Sequence, residues 1–345
     1  MSARWLLVIN DPPPYTGASV VSQKFASDLR EEGREHRIID VVSSQDPRQA
    51  LLPDLVAGLR AAAAVLSKRF DICYIQGMDG SRLASTLLVA VACKLVGIPM
   101  HFHHHSYQLA TNPHPIAKML FAPFLGVRHL VLSAGMGAAI EQTYGADSYT
   151  VASNAAAVRS MFHEVSRVET PGILHLAFVG KGGIGKGEDF CVEIAREISQ
   201  SQPCRLTIAG LGHSHHGVVT GDQLAVNYVG VQTVEELAHL YASCDVLLLP
   251  SAYATEAAPL VIFEAIAAGA RVVASDVGLI PEVVADLGRA ISVAGFETGQ
   301  WVEEILQELP IRPAVRPHPE TFAGTIRSIE DAGNSVFLEM HGVHS

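Results

Sequence analysis

The chain is short of charge and has no long apolar run. Charged residues make up 17% of its 345 positions and aromatic ones 6%, against 49% hydrophobic. So little charge with so much apolar surface to bury excludes a disordered chain. No stretch reaches the roughly 18 apolar residues of a spanning helix, and Met1 to Asn10 is one apolar run without a cleavage pattern. A secreted or integral membrane protein is therefore not expected. Cysteine is scarce as well. Cys73, Cys93, Cys191, Cys204 and Cys244 show no paired spacing and fall in apolar patterns, which reads as reduced core thiols in a cytosolic chain. The dinucleotide fingerprint GxGxxG is absent after the first apolar run, which argues against a dinucleotide-binding first half.

The net charge is −11, which speaks against a nucleic-acid partner. It is unevenly placed. Residues 1–168 hold 15 Lys+Arg against 13 Asp+Glu, and residues 169–345 hold 9 against 22. The first half can face an acidic acceptor or an anionic membrane more easily than the second.

What is present is a repeated alternation of short apolar runs and helical patterns. RWLLVIN, HRIIDVV, DICYIQG, MHFHHHS, HLVLSA and YTVASN are six strand candidates separated by helices, one of them running through LLPDLVAGLRAAAAVLSKRF. That order predicts a doubly wound parallel sheet. After Asn154 the pattern lapses until about Pro171, a linker length. ILHLAFVG, LTIAG, VNYVG, VLLLP, RVVAS and AISVA then predict a second sheet. The expected class is α/β with two Rossmann-like domains facing across a cleft. Residues 1–165 are the first domain and 170–312 the second. Residues 313–345 hold a last helix, at 318–332, crossing back to the first domain, and a tail.

The stretch from Asp245 to Glu264, DVLLLPSAYATEAAPLVIFE, is the densest in information. Val246–Leu249 is a strand buried on both faces and closed by Pro250. Pro259 sits where a helix would start, and LVIFEAIAAG carries it to a stop at Gly269. Loops leaving the carboxyl ends of parallel strands hold ligands, and helix N-termini present free N–H groups to anions. Glu256 in the loop and Glu264 in the second helical turn could flank one ligand. The alternative is a solvated loop acid and an exposed helix position.

Glu256, seven intervening residues and Glu264, followed by AIAAGARVVASDVGLIPEVV, resemble the signature of retaining glycosyltransferases of family 4 with the GT-B fold. The resemblance is strong from 173 to 288 and weaker before 150. It implies that Glu256 contacts the donor sugar and Glu264 the ribose hydroxyls. Ala257, Ala258, Pro259 and Leu260 would be further donor contacts, with AAP standing where the family more often has a glycine-containing triplet. Gly17, in the loop after the first strand, would approach the donor phosphate; its alternative is a plain tight turn.

GKGGIGKG at 180–187 nearly matches a phosphate loop but ends in Gly187, without the hydroxyl that binds Mg²⁺. In the family a strand-ending glycine, here Gly180, precedes an arginine and then Lys-Gly against the diphosphate. Lys181 takes the arginine's place and Lys186 matches the lysine. Solvated loop lysines are the alternative. In MHFHHHS, alternation sends His101, His103 and His105 to one face and Phe102 and His104 to the other. With HSHH at 213–216, a loop of the other half, this allows a metallohydrolase reading. The family's histidine near the sugar fits His105 best and His103 second.

The resemblance thus implies a retaining glycosyltransferase that moves a sugar from a UDP- or GDP-linked donor to a saccharide or lipid-linked hydroxyl in polysaccharide, lipopolysaccharide or glycolipid synthesis. Glu256, His105 and Lys186 are the expected catalytic residues, and Asn154 is a further candidate contact. No Asp-x-Asp pair is present, so no metal or other cofactor is expected, and the leaving group would be stabilised by lysines, helix α-dipole and backbone N–H groups. The expected location is cytoplasmic, at the inner face of the membrane through the first domain. A catalytically silent sugar-nucleotide binder is the rival reading.

Overall fold

A computed structural model of the chain has the apolar run Trp5–Ile9 as its first strand, β1, buried along its whole length. It describes every residue except 1–2, 12–15, 42–46, 78–79, 81, 147, 182–184, 211–215, 286, 308–320 and 341–345. Two units divide the chain: Met1–Ala157 with Thr321–Ser345, and Val158–Glu320.

In the first unit β1 is joined by β2 (His36–Asp40), β3 (Ile72–Gln76), β4 (Met100–His103), β5 (Val127–Val131) and β6 (Tyr149–Val151). All pairings are parallel, in the order β2-β1-β3-β4-β5-β6. The crossovers hold α1 (Gly17–Glu31), α2 (Pro47–Leu66), α3 (Arg82–Val96), the short α4 (Gln108–Thr111) and α5 (Pro115–Leu120), and α6 (Ala134–Tyr144). The period of two decides which side each residue faces. Leu6, Val8, Cys73, Ile75 and Phe102 join the core shared with α2, α3 and α5. Trp5 and Tyr74 turn the other way, against Phe25 of α1.

Local chemistry sets the helix ends. Thr16 and Ser19 form a reciprocal capping box at α1, and Ser133 caps α6, which ends on Gly145 in the left-handed region. α2 starts at Pro47 rather than Leu51 and stops at Leu66, where Lys68 takes a φ of 56° and turns the chain out. α2 and α3 pack tightly. A Cβ on Gly58 would lie 2.6 Å from the Ser85 Cβ, and the buried Arg82–Asp54 pair, 3.1 Å apart, ties the same two helices.

The second unit begins with α7 (Ser160–Glu164) and then runs β7 (Leu174–Val179), α8 (Glu188–Ile198), β8 (Cys204–Ala209), β9 (His216–Thr220), β10 (Leu224–Gly230), α9 (Val234–Ser243), β11 (Val246–Leu249), α10 (Leu260–Ala267), β12 (Arg271–Ser275), α11 (Ile280–Ala285), β13 (Ala290–Val293) and α12 (Thr298–Leu306). The sheet order is β13-β12-β11-β7-β8-β10-β9. Only β9 is antiparallel, to β10. Phe178, Ile194, Leu206, Leu248 and Trp301 meet in its core.

Further details of the second unit differ from the sequence expectation. β9 is an extra strand: the Gly221 N–H donates to the Leu224 carbonyl at 2.7 Å, a tight turn that folds the chain back on β10. His216 therefore starts a strand rather than lying in a loop, while His213 to His215 lie outside the described residues. The units part at Ala157/Val158 rather than across 165–170, because Phe162 packs on Tyr241 and Arg167 pairs with Asp245 at 2.6 Å. Pro259 caps α10 instead of being its first helical residue, since its ψ of 125° is extended.

The last helix, α13 (Ala323–Met340), starts later than the expected 318. It belongs to the first unit. The Phe322 N–H donates to Asp28 of α1 at 2.8 Å, and Arg34 pairs with Glu330 at 2.8 Å.

Candidate functional site

In the second sheet the strand order reverses beside β7: the chain continues to one side through β8 and to the other through β11. Such a switch point opens a crevice at the carboxyl ends of the two strands, because their loops diverge in opposite directions. The loops leaving β7 and β11 carry Lys181, Lys186, Glu256 and the 257–260 segment.

These loops are bonded to each other. Lys186 Nζ donates to Glu256 Oε1 at 2.5 Å, and its ammonium lies 4.8 Å from the centre of the Tyr253 ring. The Ala252 N–H donates to the Gly185 carbonyl at 2.8 Å. Ser251, fully buried, donates its hydroxyl to the same Glu256 Oε1 at 2.8 Å, and its own carbonyl accepts from the Ser275 hydroxyl at 2.5 Å. Glu256 is thus held from below by a serine and from the side by a cation. Lys181 follows directly on β7 and Gly180, exposed to solvent.

Two glycines make this approach feasible. Gly187 has a φ of 83°, and a Cβ there would lie 2.3 Å from the Pro250 carbonyl oxygen. Gly278 has a φ of 57°, and its Cβ would stand 2.2 Å from the carbonyl oxygen of Glu256. Only glycine combines that backbone conformation with so close a neighbour. The Leu279 N–H then donates to the Glu256 carbonyl at 3.0 Å, fixing the loop from the far side.

Ala257 and Ala258 are buried, and Pro259 and Leu260 are half-buried, so the AAP triplet passes beneath the surface into α10. Glu264 keeps some exposed area but is enclosed on nearly every side. The Tyr241 hydroxyl of α9 donates to its Oε2 at 3.4 Å. Burial pushes the Glu264 carboxyl up to about 7, while Tyr241 and the charge of Arg159 pull in the other direction. Burial and the neighbouring carboxylate drive the Tyr241 phenol well above its ordinary value.

The first unit holds the remaining candidates. Its own order reverses between β1 and β3. Gly17 is the first residue of α1 and exposed; residues 12–15 of its loop lie outside the described residues. His103 is fully buried, with Nδ1 2.7 Å from the Tyr74 hydroxyl. His105 lies just past β4, its ring centre 4.2 Å from that of His103. Neither ring nitrogen of His105 has a partner among the described residues. On the opposite face His104 Nε2 meets His129 Nδ1 at 3.0 Å beside Phe121. Burial holds His101 and His103 down to about 3 and His105 well below the usual imidazole value, so the cluster is neutral. Among the described residues no group of three or more His, Cys, Asp or Glu side chains converges as a metal would need. Asn154 is buried in a short helical turn after β6.

Sequence reasoning missed Ser251, Tyr253, Tyr241 and Arg159. Each is a common residue type whose partner lies on another element, except Ser251, whose spacing of five from Glu256 was the available signal.

Residues 173–309 match the model of the family described as "Glycosyl transferases group 1", so this segment is a group 1 glycosyltransferase domain. D-inositol 3-phosphate glycosyltransferase from Nocardia farcinica is 27% identical over 198 residues, 51% of this chain and 43% of its own. The enzyme of that name from Mycolicibacterium smegmatis is 32% identical over 150 residues, 40% of this chain and 33% of its own. The chain thus spans less than half the length of these curated relatives. Whole-chain likeness is found among solved structures. Sucrose-phosphate synthase from Thermosynechococcus elongatus has a TM-score of 0.69 at 14% identity, covering 98% of this chain and 100% of that one. Anabaena HepE in complex with UDP and glucose has a TM-score of 0.63 at 13% identity, covering 96% and 100%. At this identity the likeness shows the fold, GT-B with its two Rossmann-like units.

Proposed function

We propose that the protein transfers a sugar from a nucleotide diphosphate donor to a hydroxyl acceptor, with retention at the anomeric carbon. The observation that carries this reading is the Lys186–Glu256–Ser251 contact at the switch point of the second sheet. It puts a cation for a diphosphate and an oriented carboxylate for a sugar on adjacent loops of a group 1 glycosyltransferase domain. Lys186, the exposed Lys181 and the N-terminus of α10 neutralise the charge that grows on the leaving diphosphate. Glu256 binds the donor sugar, and Glu264 accepts from the ribose hydroxyls. Among the first-unit imidazoles His105 is the better candidate for the reacting sugar, since neither of its nitrogens has a partner among the described residues, whereas Nδ1 of His103 is engaged by Tyr74. Gly17 and Asn154 complete the donor contacts.

Solved structures of similar fold contain UDP with glucose, which favours a UDP-linked donor over a GDP-linked one. The acceptor is a saccharide or lipid-linked alcohol in polysaccharide, lipopolysaccharide or glycolipid synthesis; the names of the relatives add D-inositol 3-phosphate to the panel to be tried. The protein works at the cytoplasmic face of a membrane, touching it with the first unit, and needs no metal, because the chain has no Asp-x-Asp pair. A thermal-shift screen against UDP- and GDP-sugars, followed by transfer assays with and without EDTA, tests the whole reading. Stabilisation by one base class and EDTA-insensitive transfer are expected. Binding without turnover on any acceptor would leave only the sugar-nucleotide binder.

A further inference from the structure

α2 and α3 form the outer layer over one face of the first sheet, and both carry an apolar stripe that stays exposed among the described residues. On α2 the inward positions are Ala57, Ala61 and Val65, yet Leu52, Val56, Leu59 and Leu66 face solvent, Leu52 at 70% and Leu59 at 53% exposure. On α3, Val89 and Cys93 are buried while Leu88, Val91 and Leu95 point outward, Leu95 at 74%. Spacings of three and four residues align each set along one side of its helix. Gly58 lets α2 approach α3 at Ser85, so the two stripes run side by side. α5 flanks α3, and Met119 and Phe124 beside it extend the same apolar layer. Scattered exposed leucines are ordinary, but a continuous set of this size marks a contact surface.

The charge around it is mostly positive. No Asp or Glu occurs between residues 80 and 140, nor between 55 and 70. The acid of α2 outside that range, Asp54, is buried against Arg82. Arg60, Lys68 and Arg69 at one end and Lys94 on α3 are exposed and form no ion pair among the described residues. Arg37, Arg60 and Arg69 line a cleft of about 710 Å³ at the edge strand β2, with Asp40 as the acid in its wall. A second copy of this chain is a poor occupant, since a two-fold contact would set these cations against themselves. An apolar layer fringed by unpaired cations matches the acyl boundary and anionic headgroups of a bilayer.

We propose that the α2–α3 face of the first unit docks on an anionic membrane surface, its leucine stripes entering the interface and Arg37, Arg60, Arg69 and Lys94 pairing with lipid phosphates. This deepens the membrane contact in the proposed function, but its chemistry does not depend on sugar transfer. Among the described residues no helix is long and apolar enough to cross a membrane, so the docking is peripheral.

Flotation of the full chain with phosphatidylcholine vesicles containing roughly 30% phosphatidylglycerol, without any sugar nucleotide, tests it. Binding at least about tenfold tighter than to pure phosphatidylcholine vesicles is expected. Leu59→Glu and Leu95→Glu should each weaken it by about tenfold, and Arg60→Glu by less. Unchanged melting temperatures and unchanged transfer to a soluble acceptor in these variants separate lost docking from lost folding or activity. No binding to the anionic vesicles, or binding indifferent to both leucine changes, would overturn the proposal. So would a dimer in sedimentation that Leu95→Glu dissociates, which would assign the face to a contact between copies.

Discussion

The carboxyl ends of the central strands are furnished differently in the two units. In the second unit the loops after β7 and β11 carry an ion pair and a buried serine, and α10, which follows the second loop, carries a nearly enclosed glutamate. In the first unit the residues at and just beyond the end of β4 are neutral imidazoles packed against Tyr74 and Phe121. The same sheet architecture thus supports a charged, hydrogen-bonded end in one case and an aromatic, uncharged one in the other. Burial makes the difference: imidazoles with no acid beside them give up their charge, whereas Glu256 keeps a lysine within bonding distance. A polarised second unit suits a charged donor, and a neutral first unit suits a sugar or alcohol.

The strongest way to break this comparison is to remove the charge from the second unit. Glu256→Ala should lower transfer at least about 10²-fold with the melting temperature kept, as expected for a group that acts on developing charge; near-normal turnover would end the assigned role. His105→Ala in the first unit should lower transfer while leaving nucleotide binding by calorimetry intact, whereas Lys186→Ala should weaken that binding. If both variants changed binding alike, the division of labour between the units would be wrong.

Gly278→Ala sharpens the picture at the backbone. Its positive φ and the 2.2 Å approach to the Glu256 carbonyl predict a loss of about 2 kcal/mol or more in denaturant unfolding. Glu264 gives a pH signature. Its carboxyl is raised from an ordinary 4.5 to about 7, so between those values the folded protein keeps a proton that the unfolded chain has lost. Stability should therefore fall as pH rises from 4.5 to 7 and level off above, by up to about 3 kcal/mol. Glu264→Gln should abolish that slope, melting above the parent at pH 8 and level with it below pH 4.5. The smallest effect is expected for Ser251→Ala, which loses one bond to Glu256 while Lys186 remains: about a tenfold lower rate with little change in binding.

Much of this was legible beforehand because it rests on local rules. The strands of both sheets announce themselves as apolar runs with β-branched residues, and Gly269 stops α10 because a positive φ of 98° suits no other residue as well. β9 was hidden: HGVVT is too short to stand out, and its pairing depends on the turn at Gly221. The division of the histidines between two faces followed from alternation, but that His103 bonds Tyr74 while His105 stays unfilled required the neighbouring strand. The apolar stripes of α2 and α3 escaped notice for a related reason. Leucine at helical spacing signals burial, and only the packed structure tells which of two apolar sides is covered.

The sequence by itself determined the elements, their alternation, the switch from one sheet to the next and the glutamate pair, since each follows from periodicity, turn chemistry or spacing within one segment. Tertiary structure alone decided that Lys186 and Ser251 meet on one oxygen of Glu256, that Glu264 titrates near neutrality and that two leucine stripes remain in solvent. Those properties arise from distances and burial between segments far apart in the chain, and no local pattern encodes them.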